Sequence, residues 1–113
     1  MQAHQALQKY FGYSEFRDGQ ETLINAILAG KDALGIMPTG GGKSLCYQIP
    51  ALLLPHITLV ISPLISLMKD QVDSLSEIGI SATFINSTLD EETLRERLIG
   101  IRELRYKIIY IAP

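Results

Sequence analysis

Seven consecutive residues, Pro38-Thr39-Gly40-Gly41-Gly42-Lys43-Ser44, have the composition of a loop that wraps a polyphosphate. Three glycines let the main chain turn its amides inward toward anionic oxygens with no side chain in the way. Lys43 adds a mobile positive charge able to reach β- and γ-phosphates, where it would stabilise charge during phosphoryl chemistry. The Ser44 hydroxyl can ligate a Mg²⁺ ion bridging those phosphates. The strict G-x-x-x-x-G-K-[ST] pattern has glycine where this chain has Met37. The alternative is a flexible glycine-rich turn carrying an incidental Lys-Ser pair. Position favours phosphate binding: residues 33–37 read as a short apolar strand, and a helix is predicted from about Lys43, so the positive end of its dipole faces the loop.

A second group of residues lies upstream, in Tyr10-Phe11-Gly12-Tyr13-Ser14-Glu15-Phe16-Arg17-Asp18-Gly19-Gln20. An aromatic face can stack on a purine. A glutamine amide donates and accepts at once, which suits the edge of adenine and not that of guanine. Taken alone, Tyr13 and Phe16 read as ordinary core aromatics. With Gln20 and the glycine-rich loop beside them, Tyr13 and Gln20 read as base contacts, and Phe11 and Phe16 as core. Cys46 reads as a small packing residue, Tyr47 as packing, and His4 and His56 as solvated.

The elements that must hold these groups alternate along the chain. A helix is predicted over 4–11, ended by Gly12. A second starts near Asp18, with Glu21 three residues on in a capping-box-like arrangement. Leu23, Ile24, Ile27 and Leu28 form its apolar stripe, and Gly30 closes it. Strands follow at 33–37, 57–61, 82–85 and 107–112. The helix over 64–78 carries Leu64, Leu67, Met68, Val72, Leu75 and Ile78 at three- and four-residue steps. The helix starting at Asp90 and Glu91 has Leu94, Leu98 and Ile101 as its predicted buried side. Strand–helix alternation implies an α/β fold with a parallel sheet, and ligands in such sheets bind beyond the carboxyl ends of the strands.

Composition narrows the classes. The 113 residues make one continuous unit without repeat or linker, and 47% of them are apolar, enough for a core. A net charge of −2 lacks the basic footprint of a free-standing nucleic-acid-binding module. One cysteine forms no internal disulfide and no zinc pattern. The N-terminus has no secretory pattern, and Pro50, Pro55 and His56 interrupt the most apolar stretch, so no membrane association is expected and the cytoplasm is the natural compartment.

Three separated segments resemble RecQ-family DNA helicases in type, order and spacing: Phe11-Gly12, Phe16-Arg17 and Gln20; then Met37 through the loop to Leu45-Cys46-Tyr47-Gln48; then Ser62-Pro63-Leu64-Ile65-Ser66-Leu67-Met68-Lys69-Asp70-Gln71-Val72. The resemblance covers almost the whole chain and implies an incomplete RecA-like P-loop NTPase domain, residues 1–113 being its N-terminal portion. It implies ATP-driven, Mg²⁺-dependent unwinding of duplex DNA in the 3′-to-5′ direction, in replication, recombination or repair. Carried over to this sequence, Tyr13 stacks on adenine, Arg17 supports the adenine pocket and Gln20 reads the base edge. Thr39, Gly40, Gly41, Gly42, Lys43 and Ser44 hold the phosphates. Pro63 and Leu64, at a strand-to-helix junction with free amides in the first turn, are the expected contacts to single-stranded DNA. Lys69 and Asn86 are further DNA candidates, although Ser-Pro is a common helix start and Asn-Ser-Thr a common capped loop.

In RecQ-like sequences the Walker B aspartate, the water-orienting glutamate, the arginine finger and the zinc-binding region all come after the stretch this chain matches. The 113 residues alone are therefore expected to be inactive as an ATPase or helicase, and marginally stable or self-associating. Two other classes share part of this pattern: another P-loop NTPase such as a nucleoside kinase, which has only the loop, and a non-enzymatic nucleotide-binding fragment.

Overall fold

The computed structural model describes residues 1–37 and 42–113; Pro38, Thr39, Gly40 and Gly41, four residues of the predicted phosphate loop, lie outside them. The chain divides into two compact units, Met1–Pro55 and His56–Pro113.

The first unit is helical. Helix α1 (Ala3–Ala6) continues into a π-helical segment, Leu7–Phe11. Gly12, at φ +75°, ends it by donating to the Gln8 carbonyl. Helix α2 spans Gln20–Leu28, and α3 spans Leu45–Leu53. Ala6, Leu7, Ile24 and Ile49 are fully buried at the centre. Ala3, Tyr10, Phe11, Phe16, Leu28, Leu45 and Leu53 pack around them, as expected for Phe11 and Phe16.

Two expectations fail in this unit. Asp18 does not cap α2: Gly19 occupies the cap position with no side-chain bond. The turn is closed instead by Gln20, whose backbone amide donates to the Arg17 carbonyl and whose side chain accepts from the Arg17 amide. Residues 33–37 form no strand. A strand requires ladder partners, and among the described residues none pairs with this segment. Ala33, Leu34, Gly35 and Ile36 are all exposed. Leu34 and Ile36 face outward at 87% and 89% exposure. Gly35 lies so close to Leu23 that a Cβ there would sit 2.6 Å from the leucine methyl, and Met37 turns toward Gly19 and Cys46.

The second unit is α/β. Strands β1 (Thr58–Ile61), β2 (Ala82–Ile85) and β3 (Ile108–Ile111) form a parallel sheet in the order β1-β3-β2. The register places Ile109 beside both Leu59 and Thr83. β3 is central, and its continuous Ile-Ile-Tyr-Ile run suits a strand covered on both faces. β1, at the edge, alternates between half-buried and exposed, with Leu59 and Ile61 outward.

Helix α4 (Ile65–Glu77) packs on β2 through Met68 and Leu75. It ends in a Schellman motif: Gly79, at φ +86°, donates to Ser76, Ile80 donates to Leu75, and the Ile80 and Leu75 side chains are both buried. Helix α5 (Glu91–Arg102) also packs against β2, but not through the predicted leucine stripe. Leu98 is half-exposed, and Leu94 and Ile101 are only half-buried. The helix is turned so that Arg97 lies 4.4 Å from the Phe84 ring centroid and donates to the Phe84 carbonyl at 2.7 Å. Gly100 meanwhile admits the Tyr106 ring. Arg97 takes the contact with β2 because its guanidinium stacks on the Phe84 ring and bonds the Phe84 carbonyl at once.

Both ends of α5 carry measurable energetics. At its start, the Thr93 amide donates to Asp90 Oδ1 at 2.7 Å. That bond, followed by one with the Thr93 side chain, holds the Asp90 carboxyl below the usual aspartate range. A carboxyl held low in the folded chain stabilises it above the unfolded value, and the contribution is lost as pH falls through the lower folded value. Asp90→Asn, which keeps the cap without the titrating proton, should flatten the decline in thermal midpoint between about pH 5 and about pH 2. Asp90→Ala should lower the midpoint already at neutral pH. At the other end, Leu104 occupies the left-handed position of a second Schellman motif, at φ 60° and 75% exposed. A leucine there costs about 1–2 kcal/mol, and little packing is lost with its side chain. Leu104→Gly should therefore raise the unfolding free energy by about 0.5–1 kcal/mol in urea titrations, after the entropy glycine loses on folding.

Candidate functional site

The sequence-predicted nucleotide residues all fall in the first unit, and the structure brings three of them together through one side chain. Gln20 is 1% exposed. Its Oε1 accepts from the Arg17 amide at 2.7 Å, and its Nε2 donates to the Gly42 carbonyl at 3.0 Å. The predicted base-reading residue thus ties the turn before α2 to the last glycine of the phosphate loop, 22 residues on.

Gly42 is required at its position for two independent reasons. Its φ is +78°, in the left-handed region, and a Cβ there would stand 2.4 Å from Gln20 Nε2 and 3.9 Å from the Arg17 side chain. Lys43 follows in the turn that leads into α3, with its side chain exposed. Ser44 is the N-cap residue of α3, and its hydroxyl makes no capping bond to the helix. The amides of Leu45 and Cys46 donate to the Gly42 and Lys43 carbonyls, so the chain is already helix-like when it leaves the loop. A single hydroxyl next to a phosphate loop suits Mg²⁺, which keeps several waters and is bound mainly through substrate phosphates. Among the described residues, no group of three His, Cys, Asp or Glu could hold a metal by itself.

Tyr13 is 54% exposed and available to a planar ligand. Thr39, Gly40 and Gly41 lie outside the described residues. Cys46 is buried, its Sγ 3.9 Å from the Met37 sulfur, and burial raises its thiol pKa. His4 is exposed, as expected, and its ring meets Phe16 edge-on at 4.8 Å and lies 3.4 Å from a Glu21 oxygen. Sequence reasoning missed this pair because its partners come from two different helices. The cleft of about 520 Å³ in this unit opens between the N-terminus, α2 and the end of α3. Among the described residues, none of Arg17, Gln20, Gly42, Lys43 or Ser44 lines it.

The DNA candidates fall in the second unit. Pro63 and Leu64 are exposed at the entrance to α4, where Ser62 Oγ accepts from the Leu64 amide at 3.1 Å. Lys69, one turn into the helix, is exposed and paired with Asp73 at 2.8 Å. Asn86 uses its side chain within the chain: its carbonyl accepts from the Thr88 amide and hydroxyl, and its amide approaches the Met68 sulfur at 3.6 Å. The residue shapes the loop after β2.

A family model described as "DEAD/DEAH box helicase" matches residues 17–113. The chain is 55% identical over 112 residues to "ATP-dependent DNA helicase RecQ" of Bacillus subtilis (strain 168), covering 98% of this chain and 19% of that relative. It is 54% identical over 107 residues to the Haemophilus influenzae protein of the same name, covering 95% and 17%. It is 48% identical over 105 residues to "ATP-dependent DNA helicase Q-like 2" of Arabidopsis thaliana, covering 91% and 15%. The chain therefore spans less than a fifth of the length of these relatives.

The Gln20–Gly42 contact can be measured as a cycle. Gly42→Ala should cost about 2 kcal/mol of stability through its backbone conformation and the displaced amide. Gln20→Ala should cost about 1–3 kcal/mol by removing two hydrogen bonds to part-buried backbone groups. In urea unfolding, the double variant should lose less than the sum of the two single losses.

Proposed function

Because the chain belongs to the DEAD/DEAH box helicase family, we propose that it supplies the ATP-binding face of a RecQ-like, 3′-to-5′ DNA helicase acting in the cytoplasm. The observation that carries this reading is the buried Gln20 amide bonded to Gly42, which couples a base-reading group to a phosphate loop. In this reading Gln20 meets the adenine edge with the positions its two backbone bonds leave unused, and at 1% exposure its amide must be uncovered for the base to reach it. Tyr13 stacks on the ring and Arg17 lines it. Thr39, Gly40, Gly41, Gly42 and Lys43 hold the phosphates, and Ser44 would hold Mg²⁺, which neutralises phosphate charge when bound. The exposed entrance to α4, at Pro63 and Leu64, contacts the backbone of single-stranded DNA, with Lys69 adding charge. Duplex unwinding belongs to the longer protein in this reading, and the 113 residues bind ATP without turning it over.

A nucleoside kinase, or another NTPase sharing only the loop, accounts for neither Gln20 nor the segment around Ser62. Titration with a fluorescent ATP analogue, with and without Mg²⁺, separates the readings. Binding should be displaced by ATP at least about tenfold better than by GTP, the scale of one hydrogen-bonded base contact. Lys43→Ala should weaken it about 10- to 100-fold, as loss of a charged hydrogen bond does. Gln20→Ala should erase the preference for ATP. Equal displacement by ATP and GTP, or phosphate release by the chain that Lys43→Ala abolishes, would contradict this assignment.

A further inference from the structure

The pairing of Lys69 has a consequence for the DNA-binding face. Lys69 and Asp73 are four residues apart on the solvent side of α4, with Nζ and Oδ2 2.8 Å apart and side chains 74% and 54% exposed. Asp73, by hydrogen bond and by charge, and then Asp70, by charge, raise the lysine's pKa. The ammonium is fully charged, yet its nearest neighbours are two carboxylates, so this stretch of helix carries a net charge of −1 (one cation, two anions). The order is also the unfavourable one for helix stability: an acid N-terminal to a base at this spacing supports a helix better than the reverse. An exposed pair of this kind contributes little to stability, so folding gives weak reason for an acid at position 73.

We propose that Asp73 is a brake on DNA binding: it holds Lys69 along the helix, and a DNA phosphate at the entrance to α4 must displace it to recruit that cation. The inference rests on the reading of Lys69 as a DNA contact. Asp73 sets how readily the strand is released, which matters for a motor that must let go of its track at every step.

The test is a double-mutant cycle. Fluorescence anisotropy of a labelled oligothymidylate is measured across a salt series with the wild-type chain, Asp73→Asn, Lys69→Ala and the double variant, and circular dichroism confirms that each is folded. Asp73→Ser serves as a second uncharged replacement. Asp73→Asn should tighten binding about two- to fivefold, the range of an exposed ion pair. Lys69→Ala should weaken binding and reduce the salt slope by about 0.7, one single-strand phosphate contact. In the Lys69→Ala background the gain from Asp73→Asn should vanish. If Lys69→Ala weakens binding but Asp73→Asn brings no gain, or brings the same gain without Lys69, the brake is overturned while the DNA contact stands. If Lys69→Ala changes neither affinity nor slope, or if none of the proteins binds, the DNA reading of Lys69 falls and the brake with it.

Discussion

The candidate nucleotide site turns on one buried amide. Gln20 sits where an unpaired polar group would be costly, and it is satisfied by two backbone groups from opposite sides, the Arg17 amide and the Gly42 carbonyl. Neither segment has a regular ladder to hold it: one is a turn, the other the end of a glycine-rich loop. Because glutamine is both donor and acceptor, a single side chain can join them. No hydrocarbon could do this, and a carboxylate, which only accepts, could not satisfy the Gly42 carbonyl. The glycine is the complement of that choice, since any side chain at position 42 would occupy the space the amide fills.

The second unit is ordered by a different constraint. A parallel sheet with β3 at its centre needs a strand that is apolar on both faces, and Ile108, Ile109 and Tyr110 meet that need. The helices then attach to β2 by unlike means. α4 uses large apolar side chains, whereas α5 uses a guanidinium stacked on Phe84, while its Gly100 takes the Tyr106 ring from the segment before β3. The polar ends of the same helices remain outward: the Pro63-Leu64 entrance and the Lys69–Asp73 pair belong to solvent.

Where local chemistry alone decides, the sequence was a sufficient guide. Strand 82–85 has its predicted bounds, the helix expected from Asp90 and Glu91 starts there, and Gly12, Gly30 and Gly79 close helices as glycine does. Where partners distant in sequence decide, it was not. Nothing local says that Arg97 would displace Leu98 from the interface of α5, because the reason lies in Phe84 and Tyr106. Nothing local says that residues 33–37 would form no strand, because pairing is a property of two segments. The sequence marks Gln20 as a candidate by its type and its place before the glycine-rich loop, but not its bond to Gly42. Asn86 looked like an outward-facing contact until its partners, Thr88 and Met68, were known.

Cys46 gives the molecule a built-in chemical clock. Its thiol lies against the Met37 sulfur, beside the two ends of the phosphate loop, and burial keeps it protonated and sluggish toward electrophiles. Alkylation at this single sulfur can proceed only when the thioether lifts away and solvent enters. The labelling half-life of an otherwise cysteine-free chain therefore counts the openings of the loop's flanks, with no probe introduced and no residue replaced.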